Sequence, residues 1–309
     1  MSRRKLLLRS SAIAALGGAG LAVVQYLDGT AAPVQADVAS VVLTGDTVAP
    51  TTVTAVSGTR PPPDTPEATS PSPQYPPDVA RSALGLPCGL TITAEATPGA
   101  MVALDVMEPC APNARVEITH GALAFSARTD ALGLLTLDIP AMETPAFFTV
   151  QIETGAEATT LAGLPDLIDH DRAAIVWTGS AAFQLHGYTG DAGFGEPGHL
   201  WRDNPGTVAQ ATIGTGGFLT VLGDPTLDAP RLAQVITIPA ALRDTLSVVA
   251  EIAIEDATCG RWVDARSLQS VAGGPVAVNP VTLTLPGCDA VGEFLMLQNL
   301  FAGPRLVGN

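Results

Sequence analysis

From Leu90 onward the chain is written in short alternating runs. Leu90–Glu95 alternates apolar and polar residues, and so does Met101–Val106, read as Met-Val-Ala-Leu-Asp-Val. Arg115–Thr119, Ala122–Ala127, Leu134–Ile139 and Phe147–Ile152 continue the pattern. Alternation with period two places every second side chain on one face of a sheet, so these runs predict half-buried strands. Pro98-Gly99, Pro109, Pro112-Asn113, His120-Gly121, Asp130-Ala-Leu-Gly133 and Pro140 break the runs at short, even intervals. Six or seven short strands separated by such turn signals predict an antiparallel sandwich over residues 87–162.

A second series follows across 163–309. Ala173–Thr178, Ala182–Tyr188, Phe218–Leu222, Ala233–Ile238, Leu246–Ile254, Trp262–Leu268, Val276–Leu285 and Glu293–Leu300 give about eight more strands. Leu246–Ile254 is long enough for a central strand, with Val248, Ala250, Ile252 and Ile254 on one face. Leu268, Leu283 and Leu285 are expected in the core. Phe294–Phe301 is too apolar for an exposed tail and is expected to close a sheet. Helix-length amphipathic patterns are scarce, so the predicted class is all-β: two antiparallel β-sandwich-like domains.

The N-terminal 86 residues read differently. Ser2-Arg-Arg-Lys-Leu-Leu-Leu8 is basic and leads into an Ala- and Gly-rich apolar run, so 1–30 is a signal or anchor segment and the apolar part a helix. Ser-Arg-Arg-x-Leu-Leu is twin-arginine-like. Two outcomes stay open. Residues 10–27 stay in the inner membrane with the bulk of the chain outside, as the basic flank dictates. In the alternative, cleavage near Ala36 after Val34-Gln35-Ala36 releases a soluble periplasmic protein. Residues 31–86 form a disordered Pro/Thr/Ala-rich linker. Pro50–Pro77 holds nine of the chain's 26 prolines, each lacking a backbone donor, and almost no large apolar side chains.

Charge narrows the partners. The 309 residues carry 15 Lys and Arg against 30 Asp and Glu, a net charge of −15. Lys5 is the single lysine. So acidic a surface repels phosphate backbones, and nucleic acid is not an expected partner. The four cysteines, Cys88, Cys110, Cys259 and Cys288, lack zinc-knuckle spacing. Four cysteines behind an export signal read as two disulfides, and of the three connectivities Cys88–Cys110 with Cys259–Cys288 keeps each bridge within one domain. Each such bridge is worth about 3 kcal/mol in the chain-entropy view.

One stretch stands out for possible chemistry. His186–Asn204 holds five glycines and one proline and is too long for a simple turn. Its candidate binding residues are His186, Tyr188, Asp191, Glu196, His199, Trp201 and Arg202, with Phe194 a third aromatic. Tyr188 and Trp201 suit stacking against a glycan or peptide. Imidazoles and carboxylates in the same loop also suit a metal-dependent hydrolase, a third reading, but the spacing matches no metal motif. No nucleophile elbow, HExxH helix, P-loop or dinucleotide fingerprint is present, and no catalytic residue, metal or cofactor is assigned. Gly214-Thr-Gly-Gly217 reads as a turn. Asp169-His170-Asp171 reads as a solvated charge run between domains, and His120, beside Gly121, as a solvated turn residue.

Two resemblances complete the picture. Thr129-Asp130-Ala-Leu-Gly133-Leu-Leu-Thr-Leu-Asp-Ile139-Pro140 resembles the late hairpin of bacterial Ig-like and pre-albumin-like modules, which implies a spacer or adhesive first unit. Ile175-Val-Trp177, Gln184-Leu-His186, Gly195-Glu-Pro-Gly-His199-Leu-Trp201, Gly216-Gly-Phe218-Leu-Thr220, Leu222-Gly-Asp-Pro225, Cys259-Gly-Arg261 and Pro286-Gly-Cys288-Asp-Ala-Val-Gly292 are similar to a family of exported alphaproteobacterial proteins of Rhodobacter and Roseobacter type. Members share the plan of apolar segment, spacer and two β-rich units, and often carry the automatic label "translocase". The resemblance spans residues 86–309 and brings no catalytic residues. The expected function is a membrane-tethered periplasmic interaction or structural protein, with an envelope protein or glycan as partner. The alternative is a glycan- or peptide-binding module centred on residues 186–204.

Overall fold

A computed structural model describes residues 80–301. The leader and most of the linker expected from the sequence, including residues 10–27, lie outside the described residues. The described residues lie in one compact unit. Its described part is built from sixteen strands, one short α-helix and three 3-10 turns.

Seven strands come first: β1 (Thr91–Thr97), β2 (Met101–Met107), β3 (Arg115–His120), β4 (Leu123–Arg128), β5 (Leu134–Pro140), β6 (Ala146–Ile152) and β7 (Glu157–Ala162). They make two antiparallel sheets, ordered β1-β2-β5 and β4-β3-β6-β7. Alternation sets the faces: Val102, Leu104 and Val106 of β2 point inward and meet Val116, Ile118, Phe125, Phe148 and Val150 of the other sheet. The turn into β5 is made by Asp130, whose Oδ1 accepts the Leu132 and Leu134 amides at 2.7 and 2.9 Å. Gly133 is required there: its φ is +78°, and a Cβ would stand 2.0 Å from the Glu108 carbonyl.

Nine strands follow: β8 (His170–Thr178), β9 (Ala182–Thr189), β10 (His199–Leu200), β11 (Phe218–Leu222), β12 (Arg231–Pro239), β13 (Leu246–Ala253), β14 (Trp262–Ser270), β15 (Ala277–Thr284) and β16 (Phe294–Leu297), with α1 (Val208–Thr212) before β11. A five-stranded sheet runs β11-β12-β8-β14-β15, and a four-stranded sheet runs β10-β9-β13-β16. β16 closes one edge of the latter, as the apolar tail predicts.

The inner strands β8 and β12 of the five-stranded sheet are buried on both faces. Ala174, Val176, Ala233, Val235 and Leu268 on one face join the core of the first seven strands. Ile175, Trp177, Ile236, Val263 and Ala265 on the other face pack on Phe183, Leu185, Ala250 and Ile252 of the four-stranded sheet. A strand buried on both faces reads as an unbroken apolar run, and Ala173–Trp177 is one.

Two buried polar side chains fasten these layers. Arg172, 1 % exposed, donates to the carbonyls of Ala141, Gly99 and Ala100 at 3.0, 2.9 and 2.7 Å, and also to Thr237 Oγ1. Loss of water pushes its guanidinium down to about 9, partly offset by Asp166, so it stays charged at neutral pH. Gln234, fully buried, accepts the Leu185 amide at 2.8 Å and donates to the Phe183 carbonyl at 3.2 Å. β10 is only two residues long, so this part of the β9 edge lacks a neighbouring strand, and the Gln234 amide takes its place.

Both expected disulfides are formed. Cys88–Cys110 joins the start of β1 to the end of β2 with Cα atoms 5.3 Å apart, and Cys259–Cys288 joins the β13–β14 and β15–β16 connections at 5.0 Å. Two intact bridges suit an oxidising compartment. Among the described residues no helix is long and apolar enough to cross a membrane.

Two expectations fail. His120 is buried at 1 % exposure rather than solvated: β6 and the Met142 segment cover it. Asp171 is buried too, paired with Arg243 at 2.6 and 2.9 Å and accepting the Ala272 amide at 2.8 Å. His170 beside it is also buried, so Asp169-His170-Asp171 is not a solvated charge run.

Candidate binding face

The face of the β10-β9-β13-β16 sheet that points away from the core is assembled by register. His186 stands opposite Val249, Tyr188 opposite both Ser247 and His199, and Glu251 opposite both Gln184 and Met296. Since Phe183, Leu185, Ala250 and Ile252 face the core, His186, Tyr188 and Glu251 face outward. β10 then adds His199, and a bridge between Trp201 and Asn204 turns the chain back. Asn204 Nδ2 donates to the His199 carbonyl at 2.7 Å, fixing that corner.

The rings form a row. Tyr188 and His199 lie parallel, with centroids 4.5 Å apart and planes 1° apart. Trp201 continues the stack 5.5 Å from His199 at 8°. Phe194, from the 190–198 loop, tilts over the row at 4.9 Å from His199 and 5.1 Å from Trp201. Phe194 is 65 % exposed, whereas His186 and His199 beneath it are 1 % and 0 % exposed. Parallel offset and tilted pairs at these distances are favourable aromatic contacts.

The two histidines are hydrogen-bonded to each other, Nδ1 of His186 to Nε2 of His199 at 2.8 Å. The Gly195 amide donates to His199 Nδ1 at 2.9 Å. An amide can only donate, so His199 Nδ1 is the acceptor and its proton sits on Nε2. That proton is donated to His186 Nδ1, which places the His186 proton on Nε2. This Nε2 lies 3.2 Å from Glu251 Oε1. It is not aligned with the carboxylate for a hydrogen bond, so the contact is a close charge–dipole one. Burial lowers the pKa of His199, His186 adds to this, and Glu251 opposes it. Burial, reinforced by Glu251, raises the Tyr188 phenol.

Of the residues expected from the sequence, His186, Tyr188, His199 and Trp201 come together. Asp191, Glu196 and Arg202 do not join the ring row and are exposed. Glu196 is occupied locally, its Oε2 accepting the Gly193 amide at 2.8 Å. Glu251 and Gly195 were not expected. The outward position of Glu251 follows from the inward set Val248, Ala250 and Ile252, a signal the sequence holds; the role of the Gly195 amide depends on loop closure, which it does not hold. Among the described residues no group of three or more His, Cys, Asp or Glu is placed to hold a metal ion.

The same face continues along β16, where Phe294 is 62 % and Met296 45 % exposed. Aromatic and thioether side chains thus flank a buried polar pair on this face. A scan of the chain against protein-family models gives no match, and a search of the curated proteins gives none either.

Proposed function

We propose that this chain is an exported envelope protein that works by binding, and that its working surface is the outward face of the β10-β9-β13-β16 sheet. The partner class is a glycan or peptide of the cell envelope, met by the ring row Tyr188, His199 and Trp201 beneath Phe194. The observation that carries this reading is the parallel stack of three rings on an outward sheet face, roofed by a Phe194 that is 65 % exposed. Phe194, with Phe294 and Met296 on the same face, leaves large apolar groups in water in one region, which marks a contact site.

Location belongs to the same proposal. Disulfides suit the periplasm, the basic leader supports export, and residues 10–27 would hold the near end of the linker in the inner membrane. The similarity to the exported alphaproteobacterial family supports the plan, while its label "translocase" supplies no mechanism. The acidic surface argues against nucleic acid. Retention of the full chain on peptidoglycan or envelope polysaccharide, with and without Trp201→Ala, tests the reading. A loss of retention in the variant is expected; equal retention of both proteins defeats it.

A further inference from the structure

The hydrogen-bond chain under Phe194 has no place for an extra proton. It runs from Gly195 N–H to His199 Nδ1 and from His199 Nε2–H to His186 Nδ1, and beyond it His186 Nε2–H stands 3.2 Å from Glu251 Oε1 without a hydrogen bond. Each of the two hydrogen-bonded junctions holds one hydrogen. A proton added at His199 Nδ1 sets two donors against each other at Gly195. A proton added at His186 Nδ1 does the same at the His–His junction. If His199 then shifts its own hydrogen to Nδ1 to relieve this, the conflict moves to Gly195. Rearrangement therefore favours breaking the Gly195 contact, because Gly195 sits in an exposed loop and both histidines sit on paired strands.

The loop is built to move at that point. Gly190, Gly195 and Gly198 have φ of +60°, +76° and +97°, and at Gly190 and Gly195 a Cβ would meet nothing within 4 Å, so the tip is not wedged against the sheet. Between these glycines the loop holds itself together through Glu196, whose amide donates to the Gly193 carbonyl at 3.2 Å and whose carboxylate takes the Gly193 amide. The tip can thus swing as a unit about its ties to the sheet, the Glu196 carbonyl on the His199 amide at 3.0 Å and the Gly190 amide on the Thr245 carbonyl at 2.7 Å. We propose that residues 190–198 are a proton-operated lid: one proton taken up by the His186–His199 pair frees Gly195, lifts Phe194 off Trp201, and uncovers the Tyr188–His199–Trp201 row for ligand.

The groups that face the pair are few. β13 contributes Glu251, β9 contributes Tyr188, and the loop contributes the Gly195 amide and the Phe194 ring, with Glu196 turned to Gly193. Beside Glu251, β16 places the uncharged Met296. Glu251 is the one carboxylate in contact and favours the charged pair; burial opposes it and is the larger effect at His199. The lid therefore opens on the acid side of the ordinary histidine value.

This rests on the binding reading only for its purpose, and the two are tested apart. The full chain is labelled with 5-fluorotryptophan, giving three fluorine signals for Trp177, Trp201 and Trp262. They are followed from about pH 8 to about pH 5, the range in which histidines titrate. The Trp201 signal is expected to shift with one midpoint below 6.5, while buried Trp177 stays still. His199→Gln, which keeps an acceptor and a donor but cannot charge, abolishes the shift. Glu251→Gln, which leaves the pair intact, moves the midpoint further down. A Trp201 signal that does not shift overturns the lid, and so does a midpoint unmoved in Glu251→Gln, the second variant serving even if His199→Gln fails to fold. Glycan retention of Phe194→Ala at neutral pH should match that of wild type in acid. If the Trp201 signal titrates but no variant changes retention, the lid stands and the binding face falls; if Trp201→Ala loses retention without titration, the reverse holds.

Discussion

Two buried histidine sites in this chain use the same residue to opposite ends. His120, at the end of β3, stacks on Phe148 with centroids 4.7 Å apart. Its Nδ1 donates to the Phe147 carbonyl at 3.0 Å, and its Nε2 accepts the Met142 amide at 2.8 Å. Both partners are backbone groups, one in β6 and one beside Ala141, whose carbonyl holds Arg172. Both lie in a packed corner beside the buried Met142 and Phe148 side chains. His199 is equally buried, but one partner is another titratable ring and the other is the amide of an exposed glycine. Burial lowers the pKa of both. What separates a structural histidine from a poised one here is the freedom of its partners, not its burial or its pKa direction.

The largest predicted effect breaks the fixed side. Arg172→Ala leaves the buried Gly99 and Ala141 carbonyls without a donor, takes one of two donors from the Ala100 carbonyl and unfastens the first sandwich from the five-stranded sheet, so it should cost about 3–5 kcal/mol in denaturant unfolding. His120→Ala removes a buried stacked ring and strands the Met142 amide; a loss of about 3 kcal/mol is expected, with ligand retention per folded molecule unchanged. If instead His120→Ala altered retention, the division between the two sites would be lost.

Acid should act on both sites with one sign. The folded pKa of His120 and of His199 lies below the unfolded value of 6.5. The unfolded chain then binds more protons, so stability present above 6.5 is lost as pH falls through the folded values, by at most about 1.4 kcal/mol per pH unit for each site. Tm measured against pH checks this, and His120→Gln should flatten the fall without touching the Trp201 signal. The smallest stability change belongs to the poised side: Phe194→Ala removes an exposed ring contact and should cost about 0.5–1.5 kcal/mol or less, while increasing the acrylamide quenching of Trp201 at neutral pH.

The strands were largely legible because alternation is a local property: β2 and β13 can be read from their own residues. The disulfides were legible from cysteine count and position. His120 and Asp171 were misread because Gly121 and two flanking acids describe only the immediate chain, while Met142, Phe147, Arg243 and Ala272 arrive from far away in sequence. The apolar run Ala173–Trp177 carried the hint that its sheet is covered twice, but not by what. At the binding face the five rings His186, Tyr188, Phe194, His199 and Trp201 were all legible from composition. It could not show that Asp191 and Glu196 turn away, or that Glu251 arrives from β13, since both depend on how one loop closes over one register.

The most direct test of the binding face compares two exposed aromatic sites. Retention on peptidoglycan is measured on the acid side of 6.5, where the lid is open, for wild type, Trp201→Ala and Phe147→Ala, the last removing a 50 % exposed ring from the outer face of the first sandwich. Loss of tenfold or more in Trp201→Ala, about 1.4 kcal/mol of binding, with Phe147→Ala unchanged, is the predicted result. Equal retention by all three, or an equal loss in both variants, would contradict the assignment of function to the Tyr188–His199–Trp201 face.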